Sequence, residues 1–380
     1  MKKRVRITLE PRTPFAISRH RERHISETLD HVPGSTLRGA LAATWIRERG
    51  MPDADPVFDR VFQSGRNRFP FCYPGTGFPA PAPVTARTCK AHPGPRSAGG
   101  HGIRDGALEL LGWKDTGPSD TCSARDCSER LVRYGGLVAR EEGGTVLRPL
   151  RETRMHAGIR RDTGTVRQGV LYGTTVVLPL GREAEGRDER PLVLEGTGAF
   201  EEEDLAALRE LLGGDREGGT ILVGRSRSSG LGEMKVTLEE LGGGDDLETR
   251  MKAWIDGVTT GPGKEGLPVA LTLVSPALLE KDGRYHFDPG EVLADRLGLA
   301  EHRSLVQEVL VFGWNMATAS PKPPAAAVAA GSVVLGRSSL DRETLLERAR
   351  ELELDGFGAR TQEGFGRVLA WDPVLLGDVR

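Results

Sequence analysis

Lys3-Arg4-Val5-Arg6-Ile7-Thr8-Leu9 alternates polar and apolar residues, and beyond a basic loop Pro33-Gly34-Ser35-Thr36 leads into Leu37, Ala40, Leu41, Thr44 and Trp45 at helical spacing. Period two predicts a half-buried strand, because successive side chains of an extended chain point to opposite faces. The second pattern predicts a helix to about residue 49, entered through a turn and a hydroxyl N-cap. Strand-like runs return at 145–150 and 170–180, joined by a polar arm over 151–168, which reads as a long hairpin. Residues 201–212 begin acidic and carry Leu205, Leu208, Leu211 and Leu212, a helix ending at Gly213-Gly214. A short strand at 220–223, a glycine-rich segment at 224–232 and a strand at 234–238 complete the first half.

The same order recurs downstream, with strands at 267–274, 306–315 and 328–336, helices at 291–297 and 341–352, and a second glycine-rich segment at 356–366 leading into 367–371. Each half reads β-α-β-β-α-β, so the expected fold is α+β: two ferredoxin-like (RRM-like) domains, each an antiparallel sheet covered by two helices. Domain boundaries are expected at 1–240 and 267–380, with Gly242-Gly243-Gly244 and Gly261-Pro262-Gly263 marking a linker over 241–266. From about 63 to 130 no period holds, and all four cysteines fall there, which reads as a loop insertion in the first domain.

With 50 glycines, 24 prolines and only 5% aromatic residues, much of the chain must lie in turns and loops. Apolar runs such as 170–180 and 309–314 fall short of the roughly 20 residues that span a bilayer. The basic N-terminus turns at once into a strand pattern rather than a signal peptide, so a cytoplasmic protein is expected. The formal charge of −2 conceals an uneven distribution, since residues 1–50 carry eleven Lys or Arg against five Asp or Glu. A local basic face suits a grip on a polyanion, and an acidic remainder suits neighbouring proteins.

Two segments carry the candidate chemistry. In Gly224-Arg225-Ser226-Arg227-Ser228-Ser229-Gly230-Leu231-Gly232, glycine lets backbone N–H groups approach a ligand, and guanidinium forks match phosphate oxygens. Gly356-Phe357-Gly358-Ala359-Arg360-Thr361-Gln362-Glu363-Gly364-Phe365-Gly366-Arg367 repeats that logic. Neither has the spacing of a P-loop or a dinucleotide fingerprint. Ser35 and Arg38 lie at a helix N-terminus, where free N–H groups and the dipole favour an anion. Arg154, His156, Arg160 and Arg161 sit on the hairpin arm, placed to reach along RNA.

Cys89, Cys122 and Cys127 predict a structural Zn²⁺, which supplies the core that an otherwise structureless insertion lacks. The fourth ligand is open between His101 and Cys72, with His92 a poorer third.

Val32-Pro33-Gly34-Ser35-Thr36-Leu37-Arg38-Gly39-Ala40-Leu41, paired with the Gly-Phe-Gly-Arg loop ending at Arg367, resembles the RAMP superfamily of CRISPR systems. The arm from Arg151 to Tyr172, Gly313-Trp314-Asn315, Pro321-Lys322-Pro323 and Ala330-Gly331-Ser332-Val333 resemble the Csx-type RAMP subunit of type III-D effector complexes. The resemblance implies two halves that bind guide RNA through the glycine loops and nearby basic residues, Lys322 among them. It further implies a place at the 5′ repeat-derived tag, beside a large polymerase-like subunit and backbone RAMP subunits, with target RNA contacted indirectly and no catalytic residues. The alternative is an endoribonuclease acting through Asp30, which stands where some backbone RAMP subunits carry a cleaving aspartate, or through His31 and the nearby His20 and His24.

Overall fold

The computed structural model describes all residues except 1, 23–24, 51–54, 97–98, 111–112, 114–119, 184–187, 215–217, 243–245, 259–264, 316–317, 319 and 380. The chain divides into two compact units: Met1–Phe78, Thr145–Leu241 and Phe312–Pro323 form one, and Pro79–Gly144, Gly242–Val311 and Pro324–Arg380 the other. The architecture is mixed α+β, built on antiparallel sheets.

The first unit is organised around β1 (Lys2–Pro11), whose alternation seals Val5, Ile7 and Leu9 in the core. Helix α1 (Gly34–Arg49) buries Leu37, Leu41 and Trp45 against the same core. It starts without the expected hydroxyl cap: Pro33 is the N-cap residue, and its carbonyl accepts from the Thr36 and Leu37 amides. Strand β2 (Tyr73–Pro74), β3 (Leu194–Glu201), helix α2 (Glu202–Leu211), β4 (Gly219–Leu222) and β5 (Glu233–Glu240) follow. The sheet runs β4-β5-β1-β3-β2, every pairing antiparallel.

In the second unit, the segment that follows Gly242 carries α3 (Asp246–Gly257), a helix where the sequence reading has a linker. Leu247, Met251 and Trp254 recur on one face and are buried, and the Trp254 indole donates to the Asp372 carbonyl at 3.2 Å. Strand β6 (Leu267–Leu273), helix α4 (Pro289–Leu297), β7 (Leu299–Leu305), β8 (Val333–Ser338), helix α5 (Arg342–Asp355) and β9 (Val368–Ala370) complete an antiparallel sheet of order β7-β8-β6-β9. The strand expected at 306–315 is not part of this sheet. Glu308–Asn315 pairs instead with Ser320–Val328 as a separate ribbon, and β7 takes the sheet position.

The described residues of the stretch read as a structureless insertion are ordered. Phe69, Phe71, Cys72 and Tyr73 belong to the first unit's buried residues. Within the second unit, Ala86–Cys89, Ile103–Asp105, Leu131–Arg133 and Asp378–Val379 form a four-stranded sheet over a small core of Ala82, Ala86, Ile103, Val138 and Val374. Strands of three or four residues are too short to show a period, which is why the sequence reads as featureless there.

Candidate nucleic-acid interface and metal centre

Both glycine segments fold as the same clasp. Gly224 and Gly358 are left-handed at φ 80° and 79°, Ser226 and Arg360 follow at φ 59°, a single 3-10 turn covers Arg227–Ser229 and Thr361–Glu363, and Gly230 and Gly364 close it left-handed. The Arg225 and Ala359 amides donate to the carbonyls of Ala16 and Leu278 at 3.0 and 2.8 Å. The Gly232 and Gly366 amides donate to Pro14 and Pro276, both at 2.8 Å. A Cβ at Gly232 or Gly366 would overlap the carbonyl oxygen of Val223 or Phe357. The glycines are thus required for the chain to pass close to itself, and these amides are committed internally rather than left bare for a ligand.

The two clasps differ in what they show to solvent. In the second, Gly356, Gly364 and Gly366 are buried, Arg360 donates to Glu363 at 3.0 Å and stacks over Phe365, and Arg367 is 7% exposed with its guanidinium on the Leu354 carbonyl. This loop is a core fastening, against the reading that gives it a phosphate surface. The first clasp exposes Ser226, Ser228, Ser229 and Gly230, with Arg227 half-buried beside them. Its Arg225 reaches across to the Thr174 hydroxyl at 3.1 Å.

Thr174 belongs to the hairpin arm, whose strands Leu147–Ile159 and Val166–Glu183 extend through nearly all of the segment expected as a polar connection. The arm is rooted on the clasp, where Val176 packs with Ala16 and Leu231. Register then sorts its side chains onto two faces. Arg154 stands opposite Thr174 and His156 opposite Tyr172, whose rings stack at 5.1 Å, so Arg225, Arg154, His156 and Tyr172 share one face. The other face carries Thr153 bonded to Thr175 at 3.3 Å, Met155 over Gly173, and Ile25 from the neighbouring strand. Arg160 and Arg161 are exposed at the tip, Arg160 paired with Asp162 at 2.9 Å. Thr174 and Tyr172 become visible as site residues only through the register that places them across from Arg154 and His156.

Other expected residues lie elsewhere. Arg38 donates to the Phe62 carbonyl at 2.8 Å, which fastens α1 to the short helical segment Asp59–Gln63, and Ser35 is half-buried. Lys322, half-buried, lies on the ribbon beside Gly313. The Asp30 carboxylate is gripped by both forks of Arg151, with Nε to Oδ1 at 2.7 Å, so it is an ion-pair acceptor anchoring the arm. His31 packs between Phe71 and Tyr73 at 5.7 and 5.2 Å. His24 and the side chain of His20 lie outside the described residues.

In the second unit Cys89, His101, Cys122 and Cys127 bring one ligand atom each within 4.8 Å of all the others, close enough to hold a metal ion. Cys89 ends a strand, His101 precedes the next, and Cys122 and Cys127 flank a turn closed by Cys122 N–H to the Glu129 carbonyl at 2.8 Å. Cys89 Sγ lies 3.8 Å from Cys127 Sγ, and Cys122 Sγ lies 3.4 Å from His101 Nδ1. Zn–S bonds of about 2.3 Å at tetrahedral angles set sulfurs about 3.8 Å apart, so this donor set fits Zn²⁺. Burial works against a Cys89 thiolate, but hydrogen bonds from the His92 and Ala91 amides and from the Cys127 and Cys122 side chains together hold the thiol below its ordinary value. The fourth residue that the fold brings to this cluster is His101. Cys72 belongs to the other unit, where burial drives its thiol far up, and His92 is an exposed neighbour whose ring lies 4.3 Å from that of His101.

No protein-family model and no curated protein matches the chain. Solved structures to which it is similar include a type III-B Cmr-beta complex bound to cognate target RNA and AMPPnP, at TM-score 0.43 and 14% identity over 87% of this chain and 86% of that one. A second Cmr-beta structure, bound to cognate target RNA, aligns at TM-score 0.43 and 13% identity with the same coverage. A Cas6 product complex aligns at TM-score 0.29 and 18% identity over 49% of this chain and 79% of that one.

Proposed function

We propose that this chain is a non-catalytic RNA-binding subunit of a type III CRISPR effector complex, holding the repeat-derived 5′ tag of the guide RNA in antiviral defence. The observation that carries the reading is the arm face on which Arg154 and Arg225, both at the Thr174 rung, lie next to the stacked pair His156 and Tyr172. Guanidinium groups bind phosphate, and an exposed aromatic stack offers bases a surface to lie on, which is the composition that unpaired RNA requires. Ser226, Arg227, Arg160, Arg161 and Lys322 extend the proposed contact, while the buried second clasp is left out of it.

The element order of each unit, with its central first strand flanked by the third and last strands, supports reading both as ferredoxin-like. The Pro-Gly-Ser motif and the paired glycine clasps support the RAMP assignment. By that resemblance the partners are the polymerase-like and backbone subunits, in the cytoplasm. The metal is proposed as structural Zn²⁺, since four side-chain ligands close a tetrahedral shell and leave no position for substrate. The Arg151 grip on Asp30 favours binding over cleavage, because both carboxylate oxygens are engaged by the guanidinium rather than turned to a metal or a 2′-OH.

Titration of a labelled single-stranded RNA with the purified chain tests the proposal. Arg154→Gln with Arg225→Gln is expected to weaken binding on the order of tenfold and to flatten the log-affinity against log-salt slope by about 1.4. Unchanged affinity and slope would contradict it.

A further inference from the structure

We propose that the metal cluster is a latch on residues 372–379, so that metal occupancy decides whether this segment stays fastened between the metal-bearing sheet and the main core of the second unit. The inference rests on the proposal that the cluster holds Zn²⁺. The sheet runs in the order Asp378–Val379, Ile103–Asp105, Ala86–Cys89, Leu131–Arg133. Cys89 ends the third of these strands, His101 stands two residues before the second, and the Cys122 amide is tied to the Glu129 carbonyl, two residues before the fourth. One metal ion thus gathers three of the four strands. Asp378–Val379 contributes nothing to the cluster. It lies at the sheet edge and meets its neighbour at two register positions, Asp378 with Arg104 and Val379 with Ile103. Its place therefore depends on the strands that the metal holds.

The sheet has little apolar support of its own. Its strands are two to four residues long, and the buried residues beneath it are Ala82, Ala86, Ile103, Val138 and Val374, two of them alanines. Such short strands over so small an apolar face do not persist in water without a further constraint. Ligands drawn from several strands onto one ion supply that constraint.

The segment 372–379 is shared between two cores. Val374 packs beneath the metal-bearing sheet, while the next residue, Leu375, packs in the main core of the unit with Trp254 and Trp371. Asp372, fully buried, accepts from Arg140 Nε at 3.1 Å, and its carbonyl accepts from the Trp254 indole at 3.2 Å. Arg140 follows the strand Leu137–Ala139, whose Val138 belongs to the small core, and its side chain is 2% exposed. Removing the guanidinium from a buried ion pair leaves a carboxylate in apolar surroundings without its counter-charge, which is strongly destabilising. Fraying of the metal-bearing region that withdraws Arg140 consequently drives Asp372 toward water, and the segment goes with it.

Hydrogen exchange of the full-length chain, read by mass spectrometry, tests the latch by comparing the zinc-loaded protein, the protein stripped by a chelator, and the stripped protein given back zinc. Amides of 374–379 and 103–105 are expected to exchange on the order of a hundredfold faster without zinc and to recover when it returns, while those of β6 and β8 change less than about twofold. Arg140→Gln, with zinc retained at about one equivalent, is expected to speed exchange in 374–379 on the order of tenfold, with β6 and β8 again as the control for folding. Undiminished protection of 374–379 after stripping would overturn the latch. So would a parallel loss of protection in β6 and β8, which would show the whole unit unfolding, or protection in zinc-loaded Arg140→Gln equal to that of wild type. Zinc uptake below about half an equivalent would overturn it as well. None of these readouts involves RNA, so failure here leaves the RNA-binding proposal to its own titration.

Discussion

Gly230 and Gly366 have similar left-handed backbones, φ 81° and 67°, but different surroundings: a Cβ at Gly230 meets open space, whereas one at Gly366 overlaps the Phe357 carbonyl. Alanine at Gly230 is expected to cost about 1 kcal/mol, the price of left-handed backbone alone, and at Gly366 about 3 kcal/mol or more, because the clasp must open. Denaturant titration of the two variants separates them; equal losses would show that the close passage of the chain is unimportant. Asp105 gives a pH dependence of defined sign. Burial pushes its carboxyl up to about 7, with repulsion from Asp372 and Glu109 assisting, despite hydrogen bonds from the Ala107 amide and the Thr85 hydroxyl. A folded-state value above the ordinary 3.8 means that the native chain holds this proton more firmly than the unfolded one. Its contribution to stability is therefore complete below about pH 4 and is lost as pH rises toward about 7. Asp105→Asn is expected to lose less stability than wild type between about pH 5 and pH 8, other titrating groups cancelling in the difference; parallel pH profiles would contradict this.

At the level of elements, the arm is where sequence and register contribute different things. Arg154 and His156 are legible as candidates from charge on a hairpin, but which side chains join them is decided by pairing, and pairing is invisible in one sequence. Substituting Tyr172 with Ala is expected to weaken RNA binding on the order of tenfold through lost stacking, with little effect on the salt slope, whereas Arg154→Gln changes the slope; salt titration of both variants checks this. The glycine motifs were legible as a doubled feature. Their chemistry was not, because an amide that a distant carbonyl accepts looks the same in sequence as one offered to a ligand. The helix at Asp246–Gly257 is hidden in the sequence because glycine runs on either side outweigh the spacing of Leu247, Met251 and Trp254. Strand β7 is not legible in the sequence because its exposed Glu301 and Arg303 mask a weak alternation, while the adjacent Glu308–Asn315 is the more apolar run.

For the molecule as a whole, the helices and outer strands of both halves are legible in the sequence but the full sheets are not: the strands expected at 145–150 and 170–180 pair with each other in the arm, and Tyr73–Pro74 and Leu194–Glu201 take their places in the first unit's sheet. Three of the four clustered residues are legible too, and the geometry brings His101 rather than Cys72 to them. Cys122→Ser is expected to reduce bound zinc from about one equivalent to a small fraction and to lower the cooperativity of unfolding of the second unit, while Cys72→Ala leaves zinc unchanged; elemental analysis with thermal melts measures both. The central claim, that RNA lies on the arm face beside the first clasp, is tested most directly by photo-crosslinking a 4-thiouridine-substituted single-stranded RNA to the chain and mapping the linked peptides by mass spectrometry. Crosslinks are expected at Tyr172, His156 and the exposed turn at 226–230, with none in 356–367. Crosslinks concentrated in the second clasp, or absent from both arm and first clasp at saturating RNA, would contradict the account.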